Sequence, residues 1–112
     1  QGVEGRICFM TDDMIDTAGT LITAAETLKK SGATAVIASA THALLSDPAI
    51  ERLQGDAIDK LIVTDTVPVD YAKKVLGNKL TVLPAAPMIA AALHEIATGG
   101  SVSDLFEGRN YF

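Results

Sequence analysis

The chain has 112 residues, of which 48% are hydrophobic and 4% aromatic, and it carries a formal charge of −5 at pH 7. This length predicts one compact domain, and the hydrophobic share excludes intrinsic disorder. The acidic balance argues against a nucleic-acid partner, because binding to a phosphate backbone normally requires clustered Lys and Arg. No stretch approaches the roughly 20 apolar residues of a membrane span, so we expect no membrane partner and a cytoplasmic location.

The distribution of apolar and basic residues indicates what the surface contacts. Continuous apolar runs such as LIV and AVIA predict that part of the surface is covered by another subunit or domain, so we expect a homo-oligomer. The single cysteine, Cys8, lies in the run RICFM and is interpreted as a small buried hydrophobe. The adjacent lysines at 29–30 and 73–74 are interpreted as solvated helix faces.

Short β-rich runs alternate with helical patterns, which predicts an α/β fold with a mainly parallel sheet and flanking helices. Residues 6–10 predict the first strand, and their nearly continuous apolar character is typical of a strand covered on both faces. A helix follows over residues 19–31, where Gly32 supplies the C-terminal stop. Residues 35–40 predict the second strand.

The second half of the chain repeats this alternation. Asp47 and Pro48 predict the N-cap and first position of a short helix that ends near Leu53. Residues 60–65 and 80–83 predict two more strands, with one or two helical turns over residues 70–76 between them. A final helix over residues 87–98 carries one apolar stripe, formed by Met88, Ile89, Ala92, Leu93 and Ile96. His94 lies off this stripe, so we expect it to be exposed and without a catalytic role.

Ligands of open α/β sheets collect at the carboxyl ends of the strands, and the richest segment of that kind is TDDMIDTAGT, residues 11–20. Free N–H groups and the helix dipole favour a phosphate where the first helix begins, and the residues there are Thr17, Ala18, Gly19 and Thr20. Gly19 allows close backbone approach, and the threonine hydroxyls can donate hydrogen bonds. Asp12 and Asp13 are suited to accept hydrogen bonds from sugar hydroxyls.

A diol-binding acid pair beside a phosphate-binding loop describes a site for ribose 5-phosphate. Asp16 is either a helix cap or a group that approaches the ligand, as proton acceptor or through a metal. On spacing alone, the acids and threonines can equally be plain capping chemistry. His42 follows the second strand, where it either lines the same crevice or serves as a hydrogen-bonding loop residue.

Residues 9–21, FMTDDMIDTAGTL, resemble the phosphoribosyl diphosphate signature of type I phosphoribosyltransferase folds, in which a hydrophobic strand leads into two acids and a D-T-A/G-G-T loop. Residues 40–53, 63–68 and 100–106 are similar to the matching stretches of the ribose-phosphate pyrophosphokinase family. The likeness covers nearly the whole chain. It implies that residues 1–112 belong to the C-terminal, phosphoribosyltransferase-like domain of a two-domain enzyme.

By this resemblance, the enzyme transfers diphosphate from Mg-ATP to the anomeric hydroxyl of ribose 5-phosphate and so makes phosphoribosyl diphosphate for nucleotide synthesis. Asp12 and Asp13 would then address the ribose hydroxyls, and the 5′-phosphate would be bound by Asp16, Thr17, Ala18, Gly19 and Thr20. The family also implies a regulatory site near a subunit interface, with Ser101, Val102 and Ser103 as candidates. An ordinary polar tail is the alternative for those three residues.

The resemblance leaves catalysis outside this chain. Diphosphoryl transfer needs Mg²⁺ and basic side chains, yet no basic residue flanks the loop in the sequence. The family's ATP site, catalytic Lys and Arg, and metal-binding His all belong upstream, so we assign no catalytic residue or metal ligand here. We expect the isolated chain to bind substrate without turning it over. Ala43 and Asp65 stand where the family usually has Gly and Asn, and Asp65 adds a negative charge near the site.

Two related functions remain open, namely a base phosphoribosyltransferase and a non-catalytic regulatory homologue of the pyrophosphokinase. The first shares the acid pair and loop, but residues 40–53 and 101–106 fit the pyrophosphokinase better. A phosphoacceptor receiver domain is set aside because this sequence lacks the Asp and the Lys that such a domain needs. Walker-type and dinucleotide sites are set aside because the sequence lacks their glycine motifs.

Overall fold

The computed structural model describes residues 2–99, and within them parallel strands alternate with helices. The elements are β1 (Ile7–Ile15), α1 (Gly19–Lys30), β2 (Ala35–Ala43), α2 (Ala49–Leu53), β3 (Lys60–Thr64), α3 (Asp70–Leu76), β4 (Leu80–Leu83) and α4 (Ala86–Ala97), with a 3₁₀ turn at Gly77–Lys79. The strands form one sheet in the order β1-β2-β3-β4, and every neighbouring pair is parallel. The α/β class with a mainly parallel sheet is therefore confirmed.

The core lies between one face of the sheet and three helices. Consecutive right-handed crossovers that always advance in the same direction place their helices on the same face. Side chains from β2, β3 and β4 accordingly pack with α1, α2 and α3, and the buried members include Val36, Ala38, Leu61, Val63 and Leu80 from the sheet and Ala25, Leu53, Ala72 and Leu76 from the helices. Alternate strand residues that point away from these helices are less buried.

The opposite face of the sheet has no helical layer in the described residues, and the first strand shows it most clearly. Phe9 is 72% exposed and Ile7 56% exposed. The expectation that this strand is covered on both faces is wrong for residues 2–99, because α1, α2 and α3 all lie on one side. Cys8 is half-buried against the core rather than fully buried.

The first helix ends as the sequence predicts. The amide of Gly32, whose φ is 103°, donates to the Lys29 carbonyl at 3.1 Å, and the amide of Ala33 donates to the Leu28 carbonyl at 3.1 Å. This pair of bonds is the Schellman motif, which needs a left-handed residue and therefore favours glycine. A Cβ at Gly32 would also lie 2.9 Å from Glu4 Cγ.

Two local predictions are corrected. Strand β1 continues to Ile15, because Asp12, Met14 and Ile15 still pair with β2, and this pairing overrides the low strand propensity of aspartate. Asp47 is not the N-cap of α2, and Pro48 is not its first residue. The helix begins at Ala49 with Pro48 in the cap position and without a side-chain cap, since the Ser46 carbonyl already accepts the Ala49 amide at 2.8 Å.

The adjacent lysines are not all solvated. Lys29 forms an ion pair with Asp59 at 2.9 Å, and Lys73 Nζ donates to the carbonyls of Gly77 at 3.1 Å and Leu80 at 2.6 Å. Lys30 and Lys74 are exposed, as expected. Lys73 is exposed too, although its ammonium bonds two carbonyls, so the interpretation as a solvated face is wrong only for the half-buried, ion-paired Lys29.

The last helix does not bury its apolar stripe in the described part of the chain. No residue of α4 is buried, and Ile89, Leu93 and Ile96 are each more than half exposed. Asp65 Oδ1 accepts a hydrogen bond from the Ala85 amide at 2.8 Å, which ties the start of α4 to the end of β3. His94 is exposed, as expected. Across residues 2–99, no helix combines the length and hydropathy that crossing a bilayer requires.

Candidate functional site

A cavity of about 300 Å³ lies where β1 ends and α1 begins, at the carboxyl edge of the sheet. Its volume is at the lower end of the range that small-molecule sites occupy. Its lining comprises Asp12, Met14, Ile15, Asp16, Thr17, Ala18, Gly19, Thr20 and Leu21. Of the candidate residues at the start of the chain, the structure thus brings together Asp12, Asp16 and the loop, whereas Asp13 does not line the cavity.

The loop turns sharply at Ala18. This residue has φ 67° and ψ 6°, which is the left-handed conformation, and it is 5% exposed. Gly19, the next residue, has no positive φ, so the left-handed turn is made by the alanine alone. A left-handed alanine costs about 1–2 kcal/mol relative to the right-handed form. Such conformations persist where surrounding contacts hold them and are frequent at ligand sites.

The turn leaves the first amides of α1 without internal acceptors. The Ala18 carbonyl accepts the Ile22 amide at 2.9 Å, and no side chain caps the helix. Within the described residues, the amides of Gly19, Thr20 and Leu21 therefore have no protein acceptor, as the start of a helix requires. These N–H groups and the positive end of the helix dipole form an anion-binding arrangement.

Asp12 and Asp13 occupy the last part of β1 and interact with each other. The Asp13 amide donates to Asp12 Oδ1 at 2.8 Å. A hydrogen bond with the Asp13 side chain, followed by this backbone bond, lowers the pKa of Asp12 below its ordinary value of 3.8. Asp12 is therefore a carboxylate at neutral pH, and it can accept a hydrogen bond from a hydroxyl group inside the cavity.

The loop is supported from β2 and from α2. The amides of Leu44 and Leu45 both donate to the Ile15 carbonyl, at 3.0 and 3.2 Å. From α2, Arg52 Nη1 donates to the Thr17 carbonyl at 3.0 Å. No basic residue flanks the loop in the sequence, but the fold brings Arg52 into contact with it. The two residues are 35 positions apart, so only the packing of α2 against α1 reveals the contact.

The comparisons with known proteins agree on one family. Residues 1–107 match the phosphoribosyl synthetase-associated domain family. The chain belongs to this family. It is 50% identical over 104 residues to a ribose-phosphate pyrophosphokinase of Aquifex aeolicus, covering 93% of the chain and 32% of that protein. The corresponding protein of Pasteurella multocida is 48% identical over 104 residues, covering 93% of the chain and 33% of that protein.

A solved structure gives the same assignment for the fold. The phosphoribosylpyrophosphate synthetase of Mycobacterium smegmatis superposes with a TM-score of 0.78 at 41% identity, covering 89% of the chain and 33% of that protein. The resemblance to ribose-phosphate pyrophosphokinases that the sequence indicates is thereby confirmed. The chain spans about one third of the length of these relatives.

In this member of the phosphoribosyl synthetase-associated domain family, His42 lies at the carboxyl end of β2 but does not line the loop cavity. Its Nδ1 is 2.8 Å from Thr66 Oγ1, and the Thr66 hydroxyl is within 3.1 Å of the Thr41 carbonyl. Thr64 Oγ1 also donates to the Thr41 carbonyl, at 2.5 Å. His42 is therefore part of a polar network that joins the ends of β2 and β3, which agrees with the loop-bonding interpretation.

The remaining expectations for this family member concern metals and regulation. Residues 2–99 contain no group of three or more His, Cys, Asp or Glu side chains placed to hold a metal ion. Mg²⁺ commonly uses only one or two carboxylates together with substrate phosphates, so the Asp12 carboxylate would serve only in a site shared with a substrate, and the use of Mg²⁺ stays a prediction. Ser101, Val102 and Ser103 lie outside the described residues, and their regulatory role stays a prediction.

Proposed function

We propose that this chain is the ribose 5-phosphate-binding part of a ribose-phosphate pyrophosphokinase. The observation that carries the proposal is the left-handed turn at Ala18, which sets three unpaired amides of α1 beside a cavity that Asp12 also lines. The amides of Gly19, Thr20 and Leu21 would bind the 5′-phosphate. The Asp12 carboxylate would accept hydrogen bonds from ribose hydroxyls in the same cavity.

The proposed reaction joins the anomeric hydroxyl of ribose 5-phosphate to the β-phosphorus of ATP. The hydroxyl oxygen forms the new bond and loses its proton, the bond from the β-phosphorus to the oxygen that bridges it to the α-phosphorus breaks, and AMP leaves. Mg²⁺, bound with ATP, would neutralise the negative charge that develops on the transferred diphosphoryl group. The role of this chain would be to hold the sugar phosphate in position, which lowers the entropic cost of reaction.

A base phosphoribosyltransferase would use the same acid pair and loop with the ready-made diphosphate as its substrate. The names of the relatives favour the pyrophosphokinase, since proteins of that name are 43–50% identical over 104 residues. ATP binding, Mg²⁺ use, homo-oligomer formation and a cytoplasmic location belong to the proposal for the whole enzyme. A non-catalytic regulatory homologue of the pyrophosphokinase would keep this part of the enzyme and lose residues upstream, so it stays an alternative.

Titration of the ¹⁵N-labelled protein with ribose 5-phosphate, ribose and inorganic phosphate tests the proposal. We expect ribose 5-phosphate to shift the amides of residues 16–21 at the lowest concentration. Inorganic phosphate should shift the amides of Gly19, Thr20 and Leu21 more weakly, because it lacks the contacts of the sugar. A dispersed spectrum of a folded protein in which none of these amides responds to ribose 5-phosphate would refute the assignment.

A further inference from the structure

The guanidinium of Arg52 contacts the loop but does not line the cavity. Its Nη1 donates to the Thr17 carbonyl at 3.0 Å, and the side chain lines an open cleft together with Gly19 and Thr20. Arg52 projects from α2, so this one bond joins the second helix to the turn that precedes the first helix. The carbonyl that it fixes belongs to the peptide group immediately before the left-handed Ala18.

The space beside Gly19 is occupied by the same guanidinium. A Cβ at this position would lie 2.9 Å from Arg52 Nη1 and 3.6 Å from Arg52 Cζ. Gly19 has no positive φ, so its backbone conformation does not require glycine. An alanine at position 19 would therefore require the guanidinium of Arg52 to move.

We propose that Arg52 is a positioning residue for ribose 5-phosphate, an inference that rests on the proposed function. By holding the Thr17 carbonyl, the guanidinium orients the peptide group between Thr17 and Ala18 and keeps Ala18 left-handed. That conformation directs the free amides of Gly19, Thr20 and Leu21 toward the cavity. Without the bond, the strained turn has one fewer contact to hold it, and the amides lose their common orientation.

Three variants separate this role from packing. R52M keeps the length of the side chain without a donor, whereas R52K keeps one charged donor that can reach a carbonyl. E51A alters the neighbouring exposed side chain of α2, which makes no hydrogen bond or ion pair in the described chain, and serves as the matched control. Calorimetry gives the Kd for ribose 5-phosphate, urea unfolding gives stability, and NMR gives the amide shifts of Thr17, Ala18 and Gly19 without ligand.

We expect R52M to weaken ribose 5-phosphate binding about ten-fold while the protein remains folded, since a bond from a charged donor is lost. R52K should recover part of this loss, and E51A should bind as the wild type does. The amides of Ala18 and Gly19 should move in ligand-free R52M. The partial recovery in R52K and the amide shifts in R52M separate positioning from packing. If Arg52 only filled space, the methionine of R52M, which has a similar length, would replace it.

The variant G19A tests the same contact from the other side, and it also serves if R52M does not fold. Its new Cβ displaces the guanidinium, so it should weaken ribose 5-phosphate binding in the presence of Arg52. In the double variant G19A/R52M the two losses should overlap, because both remove the same interaction. Simple additivity of the two losses would overturn the proposal.

The wild-type titration distinguishes the two levels of inference. If the wild type binds ribose 5-phosphate and R52M binds equally well, the role of Arg52 is refuted while the proposed function stands. A change in urea unfolding alone, with unchanged Kd, likewise refutes it. If the folded wild type does not bind ribose 5-phosphate, the proposed function fails first, and the role of Arg52 fails with it.

Discussion

Asp59 and Val36 are joined by two hydrogen bonds at the amino ends of β2 and β3. The Asp59 amide donates to the Val36 carbonyl at 2.8 Å, and Asp59 Oδ2 accepts the Val36 amide at 2.7 Å. Lys29 adds an ion pair to the same carboxylate at 2.9 Å. One aspartate therefore joins the loop before β3, the start of β2 and the end of α1.

Stability should depend on the ionisation of Asp59. The bond from the Val36 amide, followed by that from Lys29, lowers the pKa of Asp59 below its ordinary value of 3.8. Because the folded pKa is depressed, the carboxylate stabilises the fold fully above the unfolded pKa, and the contribution is lost as pH falls through the folded pKa. Urea unfolding between pH 7 and pH 2.5 should show this loss for the wild type and a shallower dependence for D59N.

The control for this experiment is D56N, because the Asp56 side chain makes no hydrogen bond or ion pair in residues 2–99. It should keep the acid dependence of the wild type. An identical pH profile for D59N and the wild type would show that the carboxylate is not linked to folding.

Replacement of Ala18 by valine should destabilise the loop. A β-branched side chain adopts the left-handed conformation poorly, so A18V should lower the free energy of unfolding by about 2 kcal/mol. A18G removes the strain but also a buried methyl group, so it should stay within about 1 kcal/mol of the wild type. Urea unfolding measures both values, and A18V as stable as A18G would contradict a left-handed Ala18.

Replacement of Lys79 should loosen the end of α2. Lys79 Nζ donates to the carbonyls of Leu53 at 2.9 Å and Gly55 at 2.6 Å, which satisfies acceptors at the helix terminus. K79M should therefore lower the free energy of unfolding by roughly 2 kcal/mol. The exposed Lys74 is the matched control, and K74M should have little effect. Equal stability of K79M and K74M would rule out the anchoring role.

The two acids of β1 should differ in their effect on ligand binding. Asp12 lines the cavity and Asp13 does not, so D12N should weaken ribose 5-phosphate binding about ten-fold and D13N less. Inorganic phosphate should bind D12N almost as it binds the wild type, since only the sugar contact is lost. Calorimetry with both ligands provides the comparison. Equal losses for phosphate and ribose 5-phosphate would contradict the division of roles between acid and loop.

Asp65 should act as an acceptor and not through its charge. Its Oδ1 accepts the Ala85 amide at the start of α4, and an asparagine carbonyl can do the same. D65N should therefore be nearly as stable as the wild type, whereas D65A should lose about 1 kcal/mol, as helix caps do. Hydrogen exchange of the first amides of α4 should be faster in D65A only. Faster exchange in both variants would implicate the charge.

Sequence patterns predicted the elements whose signals are local. Helix α1 follows from its apolar spacing and from Gly32, and β4 follows from a short apolar run before Pro84. The extension of β1 through Asp12 was not predictable, because backbone pairing with β2 decides it. The sequence shows the apolar stripe of α4, but a periodic pattern does not specify what lies against it.

The grouping of the candidate site residues was predictable to a similar extent. The sequence predicts the loop at residues 16–20 and Asp12 as parts of one candidate site, and the structure brings them to one cavity. That they bind phosphate and sugar stays a prediction. The support of the loop was not visible in the sequence. Arg52 binds the main-chain carbonyl of a residue 35 positions away, and a carbonyl acceptor leaves no mark on residue identity.

The two amides that hold Ile15 from the β2 side have a consequence for sequence change. Leu44 and Leu45 make these bonds with main-chain N–H groups, so any residue but proline can supply them as long as the backbone path is kept. Leu45 has φ 53°, so glycine or asparagine is the natural replacement there. The loop that follows Ile15 can therefore keep its backbone path while the surrounding side chains diverge. Distant relatives would then share this path even where their sequences no longer resemble each other.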